Sequence, residues 1–446
     1  MSVRSTRKSR GRLGRTMTLV ASLGIIAPLA LTACGGSEEG GSDVVTLTLW
    51  DTDARTARTE RIQHLIAMFE ASHEGIKIEY VGLPTDSYME KIETAIATET
   101  TPDLLTPKAS DLSALTTQGA LSALDERFVA DGYDTKMSAS MVAAARSAVA
   151  DEKLYLTPST SLTDVIWYRP DLFEDAGLGA PETWDDFFTA ADVLTERDSG
   201  EFGYTIRGGA GFWPQFVGMV LPIAGENRYF DDQGNSIFRK PEVIEAARQY
   251  ASLYDTTTAK SDLTADFKVM VAQFGTGAAA MLSHSIGSYP DHVEALGAEN
   301  VAAAVAFPSD NNGKRIQSSL VLGFAMFENS DHPEESWEFL KFMMDEEANS
   351  YWAEESGYIP GNLAVAEEAW AKDSQPIKAS QEAMEDANTL PLEHPYYLPE
   401  FNAITGTEML PEWQKALQGD LTIEQFCEQL ADKFEAAKEA FDSRNA

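Results

Sequence analysis

The first part of the chain alternates between strand-like and helix-like patterns of apolar residues. Apolar residues alternate with threonines over 45–49, and the alternation returns over 76–80, which predicts two strands. Between them, apolar residues recur at helical spacing over 62–69, and Gly75 ends this predicted helix. A strand, a helix and a second strand in this order favour a parallel sheet.

The same alternation continues further along the chain. It predicts a second helix around 88–96, a short strand at 103–106, and a third helix that begins near Leu112 and stops near Gly119. This open α/β order matters for function, because ligands of such sheets bind beyond the carboxyl ends of the strands.

Longer helices are predicted in the rest of the chain. Thr183 followed by Asp186 is typical of a capping box and predicts a helix start there. Further helices are predicted from Asp331 to Gly357 and from Ile423 to Phe441, the last as a surface amphipathic helix. We expect the tryptophans of the first two helices, Trp184 and Trp337, to pack in the core.

Two stretches rich in glycine and proline, 203–214 and 221–225, predict loops. The segment 35–42 is a run of glycine, serine and glutamate, which predicts a flexible tether.

The N-terminal segment has the order of a secretory signal. A basic leader precedes an apolar run, and small residues precede Cys34. The stretch Leu31-Thr32-Ala33-Cys34-Gly35 resembles a bacterial lipobox, in which the cysteine takes a lipid and becomes the mature N-terminus. A transmembrane anchor is the alternative, but the apolar run 17–31 is short of the roughly 20 residues needed to span a bilayer. We therefore expect a signal peptide at 1–33 and a lipidated cysteine with its tether at 34–43.

Composition narrows the function further. The net charge is −37, which disfavours nucleic acid as a partner, because phosphate binding needs clustered lysine and arginine. The chain has two cysteines, so lipidation of Cys34 leaves Cys427 without a disulfide partner, and we expect it to be buried. The 446 residues exceed what one hydrophobic core usually supports, which predicts two lobes.

Several segments, in the right order, resemble the extracellular solute-binding proteins of ABC importers, in the branch that takes sugars and oligosaccharides. The matching segments are Pro102–Leu105 (PDLL), Gln118–Leu121 (QGAL), Ile166–Leu178 (IWYRPDLFEDAGL), Pro181–Phe188 (PETWDDFF), Phe274–Met281 (FGTGAAAM), His332–Phe342 (HPEESWEFLKF) and Ser356–Pro360 (SGYIP). One departure is Arg169-Pro170, where the family usually has Asn-Lys.

The resemblance implies a two-lobe α/β fold with a hinge and a ligand cleft. We expect an N-lobe of 44–155 plus 306–329 and a C-lobe of 156–305 plus 330–446. It also implies a monomeric, lipid-anchored capture protein on the extracellular face of the membrane that delivers a carbohydrate to an ABC permease. An anchor of this kind suits a Gram-positive cell. No catalytic residue, cofactor or metal is expected.

Candidate ligand-binding residues lie in loops that follow strands, where hydrogen-bonding groups and aromatic rings could hold a sugar. They are Asp51, Asp53, Lys108, Arg207, Trp213, Ser283, His284, Tyr289 and Tyr358. Other roles remain open: the aspartates could cap a helix, Lys108 could be solvated, and Trp213 could be a core residue.

Three other functions are weighed against carbohydrate binding. A glycoside hydrolase needs two carboxylates at a set separation, and the chain has many acids but no recognisable catalytic motif. A ferric-iron protein of the same fold could use the adjacent pair Tyr396 and Tyr397. A peptide or carboxylated ligand could be held by Lys108 and Arg207.

Overall fold

The computed structural model describes residues 44–84, 87–305 and 307–445, and the predicted signal peptide, Cys34 and the tether lie outside them. The strands are Val45–Asp51 (β1), Ile76–Gly82 (β2), Leu104–Thr106 (β3), Thr160–Tyr168 (β4), Phe202–Thr205 (β5), Ala279–Ser285 (β6), Ala302–Ala304 (β7), Arg315–Gln317 (β8), Ser319–Leu322 (β9), Ala325–Met326 (β10), Ile359–Pro360 (β11) and Thr389–Pro391 (β12).

The α-helices are Thr56–Ser72 (α1), Tyr88–Ala97 (α2), Ala109–Thr117 (α3), Asp125–Ala130 (α4), Tyr133–Lys136 (α5), Ala139–Ser147 (α6), Pro170–Asp175 (α7), Trp184–Val193 (α8), Phe212–Ala224 (α9), Pro241–Ala251 (α10), Phe267–Gly275 (α11), Tyr289–Leu296 (α12), Pro333–Met344 (α13), Glu346–Ser356 (α14), Ala369–Asp373 (α15), Gln375–Glu385 (α16), Leu410–Gln418 (α17) and Ile423–Asn445 (α18). Short 3₁₀ turns and one π-helical turn, Ala403–Glu408, connect some of them.

The first sheet confirms the parallel topology expected from the sequence. β1 pairs in parallel with β2 on one side and with β3 on the other, and β10 adds an antiparallel edge. The odd positions of β1 from Leu47 onward are buried, which is why its alternating pattern was readable. Asp51 and Thr106 therefore end adjacent strands, in register with each other.

The core around this sheet includes α13 and α14, through Trp337, Phe339 and Trp352. The boundary predicted at 330 had assigned these helices to the other lobe. A single helix was expected from Asp331 to Gly357, whereas the structure ends one helix at Met344 and begins the next at Glu346. Below, the first lobe means β1–β3, β10, α1–α6, α13 and α14.

The second sheet is built around β4. The first half of β4 pairs with β9 and β11, and its second half pairs with β6 and β7, all antiparallel, while β5 runs parallel to β6. Leu162 in β4 packs against both the first core and a core of the second sheet. β4 therefore links the first lobe to the remaining elements, which we call the second lobe.

The second lobe has two cores, the larger of which contains α8, α9, α10, α17 and α18. The capping box of α8 is confirmed: Thr183 Oγ1 accepts from the Asp186 amide at 3.1 Å, and Asp186 accepts from the Thr183 amide at 3.0 Å. Trp184 is buried there, and so is Cys427 in α18, as predicted.

The loops predicted at 203–214 and 221–225 are wrong in part. β5 and the helix α9 occupy much of both stretches, and Pro222 lies inside the last turn of α9. Almost every residue of α9 is buried, so burial in the core stabilises a helix that Gly218 and Pro222 disfavour locally.

Among the described residues, no helix is both long enough and apolar enough to cross a membrane.

Candidate ligand-binding site

The carboxyl ends of β1 and β3 face loops of the second lobe, and we call the space between them the cleft. The guanidinium of Arg55, just before α1, lies 5.7 Å from the ring centroid of Phe267 at the start of α11. The Phe267 ring stacks on His284 at the end of β6, with centroids 6.0 Å apart. The loop that follows β1 in the first lobe is therefore close to the end of β6 in the second lobe.

Asp51 is at the end of β1, but its carboxylate is used inside the protein. It is fully buried and accepts hydrogen bonds from Thr106 Oγ1 at 2.6 Å, Tyr80 OH at 3.0 Å and Arg58 Nε at 3.1 Å. Burial, with the Asp51 charge adding to it, raises the pKa of Tyr80 to about 12. The structure therefore gives Asp51 a role in organising the loop.

Asp53 lies closer to solvent and pairs with Arg55, whose Nη2 is 2.8 Å from Asp53 Oδ2. Arg58 lies deeper, over the ring of Trp352 at 4.9 Å. Burial lowers the pKa of Arg58, but the charges of Asp51 and its other neighbours outweigh burial and raise it. Arg58 escaped the sequence analysis because it sits within a helix and not in a loop.

Lys108 begins α3, and its ammonium lies over the Tyr88 ring at 4.4 Å. Beside it, the buried Asp111 accepts from Tyr88 OH at 3.0 Å and from Asn402 Nδ2 at 2.9 Å. Burial raises the pKa of Asp111, and the Lys108 ammonium opposes that effect. The Asn402 bond reaches across from the second lobe, so this part of α3 also borders the cleft.

Arg207 follows β5 and is almost fully buried. Its Nη1 donates to the Gly211 carbonyl at 2.9 Å, and its Nε contacts Met270 Sδ at 3.4 Å. Burial lowers the pKa of Arg207, and the carboxylate of Asp164 is the largest opposing influence. Burial in turn raises the pKa of Asp164, although its hydrogen bond with Ser318 and the charge of Arg207 oppose that effect.

Asp164 and Ser283 line a small cavity of ≈ 30 Å³ in the second lobe. Asp164 was missed because it lies inside β4, although a carboxylate in the middle of a strand is itself a signal. His284 follows Ser283, and its Nδ1 is buried with no hydrogen-bond partner in the described part of the chain. Burial, followed by the nearby Arg207 charge, holds the pKa of His284 well below its usual value.

Tyr358 follows α14 and is buried near the end of β6. Its ring packs edge-on against Trp352 at 6.0 Å, and a Cβ placed on Gly287 would come within 2.8 Å of Tyr358 Cε1. The close approach of this ring therefore requires glycine at 287, next to the end of β6.

Two predicted contacts lie elsewhere. Trp213, expected as a stacking surface, is 3% exposed, and its Nε1 donates to Tyr229 OH at 3.1 Å inside the second-lobe core. Its placement contradicts the prediction, because helix α9 turns this side chain inward. Tyr289 stacks face to face on the buried Trp167, with centroids 5.7 Å apart, so packing occupies one face of its ring.

The chain is similar to proteins of a known family. Residues 54–350 match the family described as bacterial extracellular solute-binding protein. A binding protein of Brucella abortus is 24% identical over 381 residues, covering 83% of this chain and 88% of the relative. The diacetylchitobiose-binding protein of Streptomyces coelicolor is 27% identical over 255 residues, covering 55% and 58% of the two chains.

Among solved structures, the ABC substrate-binding protein of Listeria monocytogenes in complex with cycloalternan superimposes with a TM-score of 0.76. It is 20% identical and covers 89% of this chain and 100% of that one. The likeness shows the two-lobe fold with its central cleft. With the match over 54–350, it makes this chain a member of the bacterial extracellular solute-binding protein family.

Proposed function

We propose that this chain is the substrate-binding protein of an ABC importer and that its ligand is a carbohydrate, either a disaccharide or an oligosaccharide. The family supports a binding role and not an enzymatic one. Relatives whose names state a ligand include the diacetylchitobiose-binding protein and the structure with cycloalternan. Both ligands are chains or rings of sugars.

The observation that carries the proposal is the pairing of charge around the cleft. Arg58 is paired with Asp51 at 3.1 Å and Arg55 with Asp53 at 2.8 Å, while the Lys108 ammonium lies over the Tyr88 ring at 4.4 Å. A carboxylated ligand needs a cation that is not already compensated, whereas a neutral sugar needs fixed donors and acceptors. This balance favours a neutral polyhydroxylated ligand over a peptide or a carboxylate.

Uptake in this proposal follows from closure of the two lobes around the ligand. A sugar shifts the balance between open and closed forms only by its greater affinity for one of them. The closed form then docks on a membrane permease, and ATP hydrolysis takes place on that partner.

The proposal includes an acyl anchor on Cys34 and a monomer held at the extracellular face of a Gram-positive membrane. Cys34→Ala should release the protein from the membrane fraction into the medium, as measured by fractionation and by labelling with a clickable palmitate analogue. Cys427→Ala is the matched control and should leave both unchanged, because Cys427 is buried. Retention of Cys34→Ala on the membrane, without label in the wild type, would rule out the anchor.

Thermal shift and calorimetry with a panel of sugars test the ligand class. A sugar at 100 times its Kd stabilises the folded state by about 2.7 kcal/mol. Asp164→Asn, in the small second-lobe cavity beside Ser283, should weaken binding, whereas Asp232→Asn, with a side chain 79% exposed, serves as the control. Binding of peptides or ferric iron with no response to any sugar would contradict the proposal, and release of new reducing ends from an oligosaccharide would indicate an enzyme.

A further inference from the structure

The segment 394–402 of the second lobe reaches the wall of the cleft formed by α3. The Tyr397 carbonyl accepts from Ser113 Oγ at 2.9 Å, and Asn402 Nδ2 donates to Asp111 Oδ1 at 2.9 Å. Tyr396, the residue just before the first of these anchors, packs against the cores of both lobes. Its ring therefore lies where the two lobes meet.

Tyr396 is only half-buried, and two aromatic rings pack against it. The His394 ring stacks on one face at 4.9 Å, and Phe401 meets it edge-on at 5.0 Å. Its hydroxyl makes no hydrogen bond within the described residues and is not among the fully enclosed polar atoms. Burial raises the pKa of Tyr396, and the charges of Asp164 in the second lobe and Asp111 in the first lobe add to that effect.

A relay of hydrogen bonds connects this ring to the second-lobe core. Trp213 Nε1 donates to Tyr229 OH at 3.1 Å, and Tyr229 OH lies 2.7 Å from His394 Nδ1. Since the indole can only donate, the Tyr229 hydroxyl accepts from it and has its proton free for His394 Nδ1. Burial lowers the pKa of His394 to about 4, so its ring is neutral at pH 7 and Nδ1 can accept.

Each group in this relay has a defined orientation. Tyr229 is 1% exposed and Trp213 is 3% exposed, so neither can touch a ligand in the cleft. Their hydrogen bonds fix the plane of the His394 ring, and the His394 ring fixes the plane of Tyr396 through the stack. A buried relay of this kind holds a ring in place before any ligand arrives, and such preorganisation lowers the entropy lost on binding.

Resting on the proposed carbohydrate function, we infer that Tyr396 is the aromatic surface on which a sugar ring packs, and that Trp213, Tyr229 and His394 are its positioning residues. The apolar C–H face of a pyranose suits an aromatic ring, and the tyrosine hydroxyl adds a hydrogen bond to a sugar hydroxyl. The core residue Trp213 thus affects the ligand through three other side chains and not by contact.

Calorimetry with diacetylchitobiose, maltotriose and cycloalternan tests Tyr396. For whichever of these the wild type binds, Tyr396→Ala should weaken affinity about 10- to 100-fold and Tyr396→Phe about 3- to 10-fold. Tyr397→Phe is the matched control: its ring packs on Phe441, and it should bind as the wild type does. The melting temperature of each sugar-free variant reports folding, and Tyr396→Phe remains informative if Tyr396→Ala does not fold.

A double-mutant cycle tests the relay. Tyr229→Phe should weaken sugar affinity about 3- to 10-fold in the wild-type background and also in the Tyr396→Phe background, which keeps the stacked ring, and it should have no effect in the Tyr396→Ala background, which lacks it. A role limited to stability would lower the melting temperature equally in all backgrounds and leave the affinity unchanged. Wild-type binding that survives Tyr396→Ala and Tyr396→Phe would overturn this inference alone, whereas a wild type that binds no sugar would overturn the proposed function and the inference with it.

Discussion

Removal of the Asp51 carboxylate should destabilise the fold as a whole. The side chain is fully buried and accepts from Thr106 Oγ1, Tyr80 OH and Arg58 Nε at 2.6, 3.0 and 3.1 Å. Asp51→Ala leaves the Arg58 guanidinium, whose side chain is 12% exposed, without its paired charge, and two hydroxyls without their acceptor. Breaking a buried ion pair by removing one partner costs about 3 to 5 kcal/mol. We expect a loss of that size in the free energy of unfolding.

Urea unfolding, followed by tryptophan fluorescence and by circular dichroism, measures this loss. Asp53→Ala is the control, because its ion pair with Arg55 is largely exposed and should contribute about 0 to 1 kcal/mol. Asp51→Asn should fall between the two, since it keeps the shape and one acceptor oxygen. If Asp51→Ala unfolds like the wild type and instead loses sugar affinity tenfold or more, Asp51 is a ligand group and the network argument is refuted.

Three further predictions concern buried positions. Burial lowers the pKa of His292 to about 4, below its value in the unfolded chain, so the unfolded state binds more protons between about pH 6.5 and 4. The free energy of unfolding should therefore fall by up to about 1.4 kcal/mol per pH unit as the pH drops through that window. His292→Asn should make this pH dependence shallower when the free energy is measured by urea unfolding at each pH. Gly323→Ala should lower the melting temperature sharply, because its Cβ would lie 1.7 Å from the Thr157 carbonyl oxygen, whereas Gly179→Ala, with nothing within 4 Å, should leave it within a degree or two. Cys427 should react with a maleimide only after denaturation, since burial raises the pKa of its thiol to about 12; rapid labelling of the native protein would contradict its placement in the core.

The parallel sheet of the first lobe was predictable because its helices and strands are each buried on one side. β1 alternates in burial along its length, and α1 buries residues at helical spacing, so both periods are visible in the sequence. α9 is different, because nearly all its residues are buried and no period remains to be read. The helix break at Asp345 was not predicted either, and the Asp345 side chain there contacts a residue distant in sequence: Tyr133 OH donates to Asp345 Oδ1 at 2.7 Å.

The positions of several candidate residues at strand ends were predictable, but their side-chain directions were not. Topology alone placed Asp51 and Arg207 near strand ends, because parallel strands put their carboxyl ends at one edge. It could not show that Asp51 points inward to Arg58, or that α9 turns Trp213 into the core. Tyr396 lies in a proline-rich loop whose path across the lobes depends on hydrogen bonds to residues almost 300 positions away. No local pattern carries that information.

We expect ligand affinity to depend on contacts between the two lobes as well as on the residues that contact the ligand. The Ser113–Tyr397 hydrogen bond, the Asn402–Asp111 hydrogen bond and the Arg55–Phe267 contact all join the two lobes. Each is of a type worth about 0.5 to 1.5 kcal/mol, and together they stabilise this arrangement of the two lobes, which in the proposed mechanism is the form competent to bind. Since apparent Kd equals intrinsic Kd divided by the competent fraction, their loss should weaken every ligand by the same factor. A residue that packs on the sugar should instead weaken ligands unequally, and this difference separates closure from recognition.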